Sequence, residues 1–301
     1  MSDTLLLEYH GQFGRGRTLD SIVNLVDSLP PLPDVAACAL RLLDDPGTTP
    51  GDLAAVLGRD PALVSTTLRA ANSAALGMSE TVSDLAQAIM IVGLSALKSR
   101  LLAVTLKNWN RNFGASERLV WEKSLGAAVA AEVLATHLGK TCQKEAHLCG
   151  LLHNLGQIVM LSLPDVRRDY PAVVRYIGDH QVDFAEAERN VIGFSYPLVG
   201  ALVARRWQLP YSTCVCILRH NDPLERIESK LDEQVALTKL AAATGLGAGL
   251  GCPHRHPLFG SALVDLAVAL GFDRQTFGTD KEVLIRQARA LYATEASVYT
   301  K

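Results

Sequence analysis

The stretch Ala146–Gly156, AHLCGLLHNLG, decides which fold this sequence can adopt. It opens a 19-residue segment, 146–164, that contains no Asp, Glu, Lys or Arg. That length and composition would suit a membrane span, but His153 and Asn154 lie inside the segment, where imidazole and amide groups are costly in hydrocarbon. The segment therefore predicts a buried helix of a soluble protein, and we expect no association with a membrane.

The composition of the whole chain indicates the fold class. Hydrophobic residues make up 49% of the 301 residues, aromatic residues only 6%, and alternating runs of Val, Ile, Tyr and Thr are scarce. Apolar residues instead recur at helical spacing along nearly the whole chain, which predicts an all-α fold with a large core. The 29 basic and 31 acidic residues give a net charge of -2, which argues against binding to nucleic acid or to a membrane surface.

The cysteines indicate a reducing compartment. None of them forms a CxxC pair, and Cys149, Cys214 and Cys216 lie in apolar stretches, as buried free thiols do. The first 17 residues begin with an acidic stretch and lack the apolar core of a signal peptide. We therefore expect a cytoplasmic protein.

Several helix starts can be read directly from capping residues. Thr49–Asp52 supplies a capping Thr, a Pro at the first helical position and a carboxylate three residues after the cap. Asp60–Pro61 opens the following helix in the same way. Ser83 is predicted to cap a helix that Gly93 ends, and Thr279–Glu282 is predicted to be the capping box of the last helix.

A polar stretch around 108–116 predicts a boundary between two helical bundles. Residues 245–257 are rich in Gly, Pro and His and predict a long, flexible connecting loop. The segment Leu29–Pro33 is stiff, and it either enters the first bundle or docks against the second. The predicted order is an N-terminal tail, a first bundle, a second bundle, and a loop with C-terminal helices that pack on that bundle: residues 1–18, 19–110, 115–244 and 245–301.

Two weaker motifs are better explained as structure than as function. Residues 49–73 have the outline of a DNA-reading helix-turn-helix, but only Arg59 and Arg69 supply positive charge there, and a reading helix usually brings more. Packing within a helical bundle is the simpler interpretation. Three metal-ligand types follow the glycines of 245–251, but their spacing matches no usual zinc pattern. Those three residues are Cys252, His254 and His256.

His153 in an apolar helix points to one of two kinds of site. A buried His with an adjacent carboxylate can hold a divalent ion beside a phosphate. In this chain, however, Asn154 stands at the carboxylate position, and a neutral amide is a poor ligand for a hard cation. The other interpretation is a buried imidazole that is hydrogen-bonded to its neighbours.

A series of short motifs extends along the chain on both sides of this stretch. The first half carries Leu29–Pro33, Asp60–Leu63, Leu68–Ser73, Ala88–Ile89 and Val92–Gly93. The second half carries Trp121, Ser124, Gly150–His153, Gly156, Glu188, Gly193, Gly200, Trp207, Leu209–Pro210 and His220. Each motif alone is weak, but in this order and at this spacing they resemble the HDOD family of bacteria, the HD-related output domain. The resemblance covers about residues 19–222.

The resemblance implies a second bundle similar in fold to the HD phosphohydrolases. Those enzymes bind one or two metals through a first-helix His, a His–Asp pair, further His residues and a last Asp. Near residues 240–243, where a last Asp is expected, this chain has only Leu and Ala. At the other positions the chain has Lys123, His153, Asn154, Tyr196, His220 and Asn221, so that only two imidazoles remain.

The resemblance implies that the chain is a non-catalytic signalling or regulatory module. We expect it to bind a regulatory partner protein or a small ligand, with no metal, no cofactor and no catalytic residue. The cluster of Lys123, His153, Tyr196 and His220 either forms a pocket for an anion or small ligand or is plain buried polar packing. The first alternative function is a metal-dependent phosphohydrolase that acts on a nucleotide or cyclic dinucleotide, and the second is a DNA-binding regulator.

Overall fold

The computed structural model describes residues 19–73, 82–109, 114–139, 143–224, 226–251 and 261–299. Within these ranges all regular secondary structure is helical, so the predicted all-α class is confirmed. The first half contains α1 (Leu19–Asp27), α2 (Asp34–Asp44), α3 (Pro50–Leu57), α4 (Pro61–Ala71), α5 (Leu85–Val92) and α6 (Leu94–Trp109).

The second half begins with the long helix α7, against which α8, α14 and α16 pack. A second layer forms where α9 packs on α12 and α12 packs on α13. The helices of this half are α7 (Ala115–His137), α8 (Gln143–Leu152), α9 (Leu155–Ser162), α10 (Pro164–His180), α11 (Phe184–Val191), α12 (Tyr196–Arg206), α13 (Tyr211–Arg219), α14 (Lys230–Gly247), α15 (Ser261–Leu270) and α16 (Phe277–Tyr299).

The two predicted caps in the first half that contain a proline are confirmed. Thr49 Oγ1 accepts from the backbone N–H of Asp52, and the Asp52 carboxylate accepts from the backbone N–H of Thr49. Asp60 caps α4 through two backbone N–H groups. The prediction for Ser83 is wrong, because Asp84, one residue later, caps α5. A carboxylate accepts a stronger hydrogen bond from a helix N-terminus than a hydroxyl does.

The predicted start of the last helix is also wrong. The helix α16 begins at Phe277, two residues before the predicted Thr279. The side chain of Asp273 accepts from the backbone N–H groups of Gln275 and Thr276, which brings the chain into the helix earlier. Phe277 is buried and anchors this first turn in the core.

The glycine-rich stretch after residue 244 is only partly a loop. Gly245 and Gly247 belong to α14, so the prediction of a flexible connector is wrong for them. A Cβ atom at Gly245 would lie 2.9 Å from the backbone carbon of Gly126, so the glycine allows α14 to approach α7 closely. The predicted metal-ligand types at 252–256 lie outside the described residues.

One hydrophobic core runs through both halves of the chain. It includes Ile22 of α1, Leu102 of α6, Leu152 of α8 and Val298 of α16. The division into two bundles stays a prediction, because buried side chains of both halves belong to the same core cluster.

The segment Leu29–Pro33 docks against the second half. The guanidinium of Arg206 in α12 donates to the backbone oxygens of Val26 (2.6 Å) and Leu29 (2.9 Å). Leu29 and Leu32 are buried in the shared core. Arg206 thereby binds backbone carbonyls in and just after the last turn of α1, where a helix leaves its final carbonyls without helical partners.

Across the described ranges no single helix is both long and apolar enough to cross a membrane, although two sharply bent helix pairs reach that length and composition together. The segment 146–164 is largely buried, as predicted, but it is not one helix. The chain turns at His153 and Asn154, so that α8 ends and α9 begins there. This break places both side chains at the meeting point of several helices.

Candidate functional site

The six residues that the sequence singled out lie in one buried polar cluster, hereafter the Lys123 cluster. They come from the middle of α7, the α8–α9 turn, the first turn of α12 and the end of α13. Tyr196 and the two histidines are buried, whereas Lys123 and Asn221 are half-buried. The members are Lys123, His153, Asn154, Tyr196, His220 and Asn221.

Three glycines bring the helices close enough to form this cluster. A Cβ atom at Gly156 would lie 1.8 Å from the backbone oxygen of Tyr196, and one at Gly200 would lie 2.8 Å from the backbone nitrogen of Gly156. A Cβ atom at Gly150 would lie 2.5 Å from the backbone oxygen of Ala127 in α7. Any side chain at these positions would push α8 or α9 away from its partner helix, so these glycines set the distances within the cluster.

A chain of hydrogen bonds holds one side of the cluster. The amide of Asn221 donates to the hydroxyl of Tyr196 (2.6 Å), and that hydroxyl lies 2.8 Å from Nε2 of His220. Nδ1 of His220 lies 2.9 Å from the backbone oxygen of Ile217 and donates to it. This arrangement fixes His220 as a neutral imidazole that accepts from Tyr196.

His153 faces His220 from the other side. The two ring centroids are 5.1 Å apart, and the rings are nearly perpendicular. Nδ1 of His153 donates to the backbone oxygen of Gly150 (2.6 Å), whereas its Nε2 is buried and has no hydrogen-bond partner within the described ranges. Burial, and then the nearby His220 and Lys123, hold the pKa of His153 well below its usual value. Burial followed by Lys123 lowers the pKa of His220 to about 3.

The ammonium of Lys123 lies among these neutral groups. Its Nζ is 3.3 Å from Oδ1 of Asn154 and 5.3 Å from the ring centroid of Tyr196. The ring of Phe184, which is partly exposed, lies 5.6 Å from the same ammonium. The amide nitrogen of Asn154 is buried and has no partner among the residues that the structure describes. Lys123 therefore places a positive charge beside the buried amide and the two imidazoles.

Glu188 of α11 is a residue of this region to which sequence reasoning gave no role. It is fully buried, and its two carboxylate oxygens accept from the hydroxyl of Tyr170 (2.8 Å) and from the backbone N–H of Tyr196 (2.6 Å). Burial raises the pKa of Glu188 to about 7, against the opposing effects of these hydrogen bonds and of Lys123. Its place on the apolar face of α11, beside Ala185 and Ala187, was the available signal.

This donor set fits a divalent cation poorly. Nε2 of His220 is engaged by Tyr196, Oδ1 of Asn154 is engaged by Lys123, and an ammonium lies where a cation would have to bind. In the described part of the chain, no three His, Cys, Asp or Glu side chains come together as metal ligands. The arrangement can instead bind a group through one ammonium, one amide and one imidazole.

The all-helical fold, in which helices converge on a buried pair of histidines, is of the HDOD or HD-like phosphohydrolase kind. The chain belongs to the HDOD domain family, whose sequence profile matches residues 29–223, more than half of the chain. The family membership that the motifs indicated is thereby confirmed.

Solved structures share the fold at low sequence identity. An HDOD domain protein of unknown function from Geobacter sulfurreducens is 22% identical, with a TM-score of 0.71, over 92% of this chain and 99% of that one. A protein from Shewanella amazonensis SB2B, provisionally described as a phosphohydrolase, is 20% identical, with a TM-score of 0.67, over 91% and 97%. A protein from Marinobacter aquaeolei VT8, provisionally described as a signal transduction protein, is 20% identical, with a TM-score of 0.68, over 97% and 64%.

A curated relative extends beyond this chain. An uncharacterized protein of Treponema pallidum (strain Nichols) is 28% identical over 212 residues, which are 67% of this chain and 39% of that protein. The chain thus spans well under half the length of this relative.

Proposed function

We propose that the chain is a cytoplasmic signalling or regulatory HDOD module that acts by binding a partner protein or a small ligand and does not catalyse a reaction. Its membership of the HDOD family supports a regulatory role. A structural neighbour that is provisionally described as a signal transduction protein supports the same class of function.

The observation that carries the proposal is the position of Lys123. Its ammonium donates to Asn154 and lies over the ring of Tyr196, beside the two histidines. A fixed positive charge repels a divalent cation, and two neutral imidazoles without an adjacent carboxylate are weak ligands for Mg²⁺ or Mn²⁺. The hydrolytic site of the related enzymes is thus degenerate in this proposal.

Glu188 does not supply the missing carboxylate. Both of its oxygens already accept hydrogen bonds, from Tyr170 and from the backbone of Tyr196. Its pKa of about 7 means that it is protonated in a large fraction of molecules at neutral pH. A carboxylate that is held in this way is a poor ligand for a metal.

Metal analysis together with a turnover assay tests the proposal. We expect the purified chain to contain Fe, Mn and Zn only far below one equivalent and to leave cyclic dinucleotides and nucleotide phosphodiesters intact. The alternative, a metal-dependent phosphohydrolase, predicts about two bound metal ions. Stoichiometric metal, together with turnover that disappears in His153→Ala, would overturn the proposal.

Affinity capture from the native cell tests the binding role. The wild-type chain and Lys123→Met are used as matched baits under crosslinking. A partner that the wild type retains and the variant loses would connect the Lys123 cluster with signalling. Repeated capture of nothing, combined with a lack of small-ligand binding, would contradict the binding role.

A further inference from the structure

Two buried polar atoms of the Lys123 cluster have no partner among the described residues. They are Nε2 of His153 and Nδ2 of Asn154, and both residues are 0% exposed. Buried polar groups in folded proteins are nearly always hydrogen-bonded, and each exception needs an explanation. These two atoms belong to consecutive residues of one turn, so one bound group can serve both of them.

One of the two atoms needs a hydrogen-bond donor and the other needs an acceptor. Nδ1 of His153 already donates to the backbone oxygen of Gly150, so Nε2 is an acceptor and needs a donor. The amide nitrogen of Asn154 is a donor and needs an acceptor. The ammonium of Lys123, 3.3 Å from the amide oxygen of Asn154, adds a positive charge at the same place. A complementary ligand therefore carries negative charge, oxygen acceptors and one O–H donor.

The outer side chains of this region are partly exposed. Lys123 and Asn221 are half-buried, and the ring of Phe184 is 38% exposed above the ammonium of Lys123. His153 and Asn154 themselves are buried, so these outer side chains lie at the more accessible part of the site.

We propose that the Lys123 cluster binds inorganic phosphate in its protonated form, with P–OH donating to His153 and P–O⁻ accepting from Asn154 and Lys123. Hydrogen phosphate keeps one hydroxyl at neutral pH. Sulfate has lost its proton there, and a phosphate monoester has largely lost its last one, since its second pKa is about 6. The proposal rests on the proposed function, in which this site binds without cutting, and it names the ligand class.

Binding of three anions to the purified full-length chain tests the proposal. Inorganic phosphate, sulfate and adenosine monophosphate are titrated by calorimetry at constant ionic strength and slightly alkaline pH. The thermal unfolding midpoint is measured in parallel, since a ligand that binds only the folded state raises it. We expect saturable binding of one phosphate, about tenfold or more tighter than binding of either other anion.

Three variants locate the binding. Lys123→Met and His153→Phe are expected to weaken phosphate binding by about tenfold to a hundredfold, because each removes a hydrogen bond that involves a charged group. Lys98→Met is the matched control: Lys98 is a lysine of α6 whose side chain is only 13% exposed and pairs with Asp44. It is expected to bind phosphate like the wild type. If Lys123→Met does not fold, His153→Phe and the ratio of phosphate to sulfate binding by the wild type still decide the outcome.

Two results would overturn the phosphate assignment. Equal binding of phosphate and sulfate would mean that only the charge of Lys123 is recognised. No response to any anion, with a crystal structure that shows a single water on His153 and Asn154, would mean that the atoms only hold an internal water. Failure of the proposed function has a different signature, namely bound metal and phosphodiester turnover.

Discussion

Two buried groups of charged side chains in this molecule are built in different ways. In the first, hereafter the seam cluster, Arg100 of α6 pairs directly with Glu295 of α16, and the hydroxyl of Tyr299 contacts the same carboxylate. In the Lys123 cluster, the ammonium faces an amide oxygen and two aromatic rings, and the buried carboxylate of Glu188 accepts hydrogen bonds from other groups. The seam cluster is thus built around a direct ion pair, and the Lys123 cluster around a contact between an ammonium and an amide.

The way in which the charges are paired indicates which of the two clusters stabilises the fold. The seam cluster joins the last helix to the first half, and the backbone oxygen of Tyr299 also accepts from Lys107. Its charges neutralise each other, as a structural ion pair must when it is buried. The Lys123 cluster holds its positive charge against an amide oxygen and leaves two buried polar atoms without a partner among the described residues, against one, Nε of Arg100, in the seam cluster. Such atoms are unfavourable for stability and suit a site that binds.

The largest effect is expected from breaking the ion pair of the seam cluster. Arg100→Met leaves Glu295 buried without its partner and should lower the free energy of unfolding by about 3–5 kcal/mol. Urea unfolding followed by circular dichroism measures this loss. Arg168→Met is the control, because Arg168 and its partner Asp165 are 72% and 90% exposed and such pairs contribute little. A loss no larger than that of the control would mean that the seam cluster is not structural.

The protonation of Glu188 predicts a pH-dependent effect of similar size. Its pKa is about 7 in the folded chain and 4.5 in the unfolded reference, so the folded state holds the proton more tightly. The stability that this group contributes is complete below pH 4.5 and is lost as the pH rises through about 7. A shift of this size corresponds to about 3 kcal/mol.

The variant Glu188→Gln isolates this contribution. The difference in unfolding free energy, wild type minus variant, is expected to fall by about 3 kcal/mol between about pH 4.5 and 7.5. Taking the difference removes the opposite effect of His153 and His220, whose lowered pKa values make the wild type less stable as the pH falls below 6.5. A difference that does not change with pH would show that folding does not raise the pKa of Glu188.

The next effect is expected at Gly156, which lets α9 approach α12 beside the Lys123 cluster. A Cβ atom at Gly156 would lie 1.8 Å from the backbone oxygen of Tyr196, so Gly156→Ala should force α9 and α12 apart at a cost of about 1–3 kcal/mol. Gly178→Ala in α10 is the matched control, because a Cβ atom there meets nothing within 4 Å. It should stabilise the chain by up to about 1 kcal/mol, since alanine favours the helix. If both variants had the same thermal unfolding midpoint, the close approach of α9 to α12 at Gly156 would not determine the geometry of the Lys123 cluster.

The sequence predicted the fold and singled out the six residues of the Lys123 cluster. It did not predict their hydrogen bonds or the pKa values of the buried groups around them. Helical spacing fixed the class, and the motif order placed His153, Tyr196 and His220 on the helices that converge. Capping residues located α3 and α4 correctly, because a cap is a local interaction between residues three positions apart.

What the sequence missed depends on contacts between distant residues. Glu188 accepts from Tyr170, 18 positions away, and from Tyr196 on another helix, so no local pattern reveals its hydrogen bonds or its pKa. Gly245 was assigned to a loop because glycine is a poor helix former, and its close approach to Gly126 in α7 is a tertiary contact. The direct pairing of Arg100 with Glu295 likewise joins residues that lie 195 positions apart.

The smallest effect on stability is expected from Lys123→Met. This variant is also the most direct test of the difference between the Lys123 cluster and the seam cluster. Removing this ammonium takes away a hydrogen bond to the amide oxygen of Asn154, whereas Glu188 keeps its hydrogen bonds from Tyr170 and Tyr196. The free energy of unfolding at neutral pH should therefore change by less than about 1 kcal/mol, far less than in Arg100→Met. The pKa values of His153 and His220 should both rise, because Lys123 lowers each of them in the wild type. Imidazole titration by NMR measures the rise, and a loss of stability as large as that of Arg100→Met would mean that Lys123 is a structural charge like those of the seam cluster.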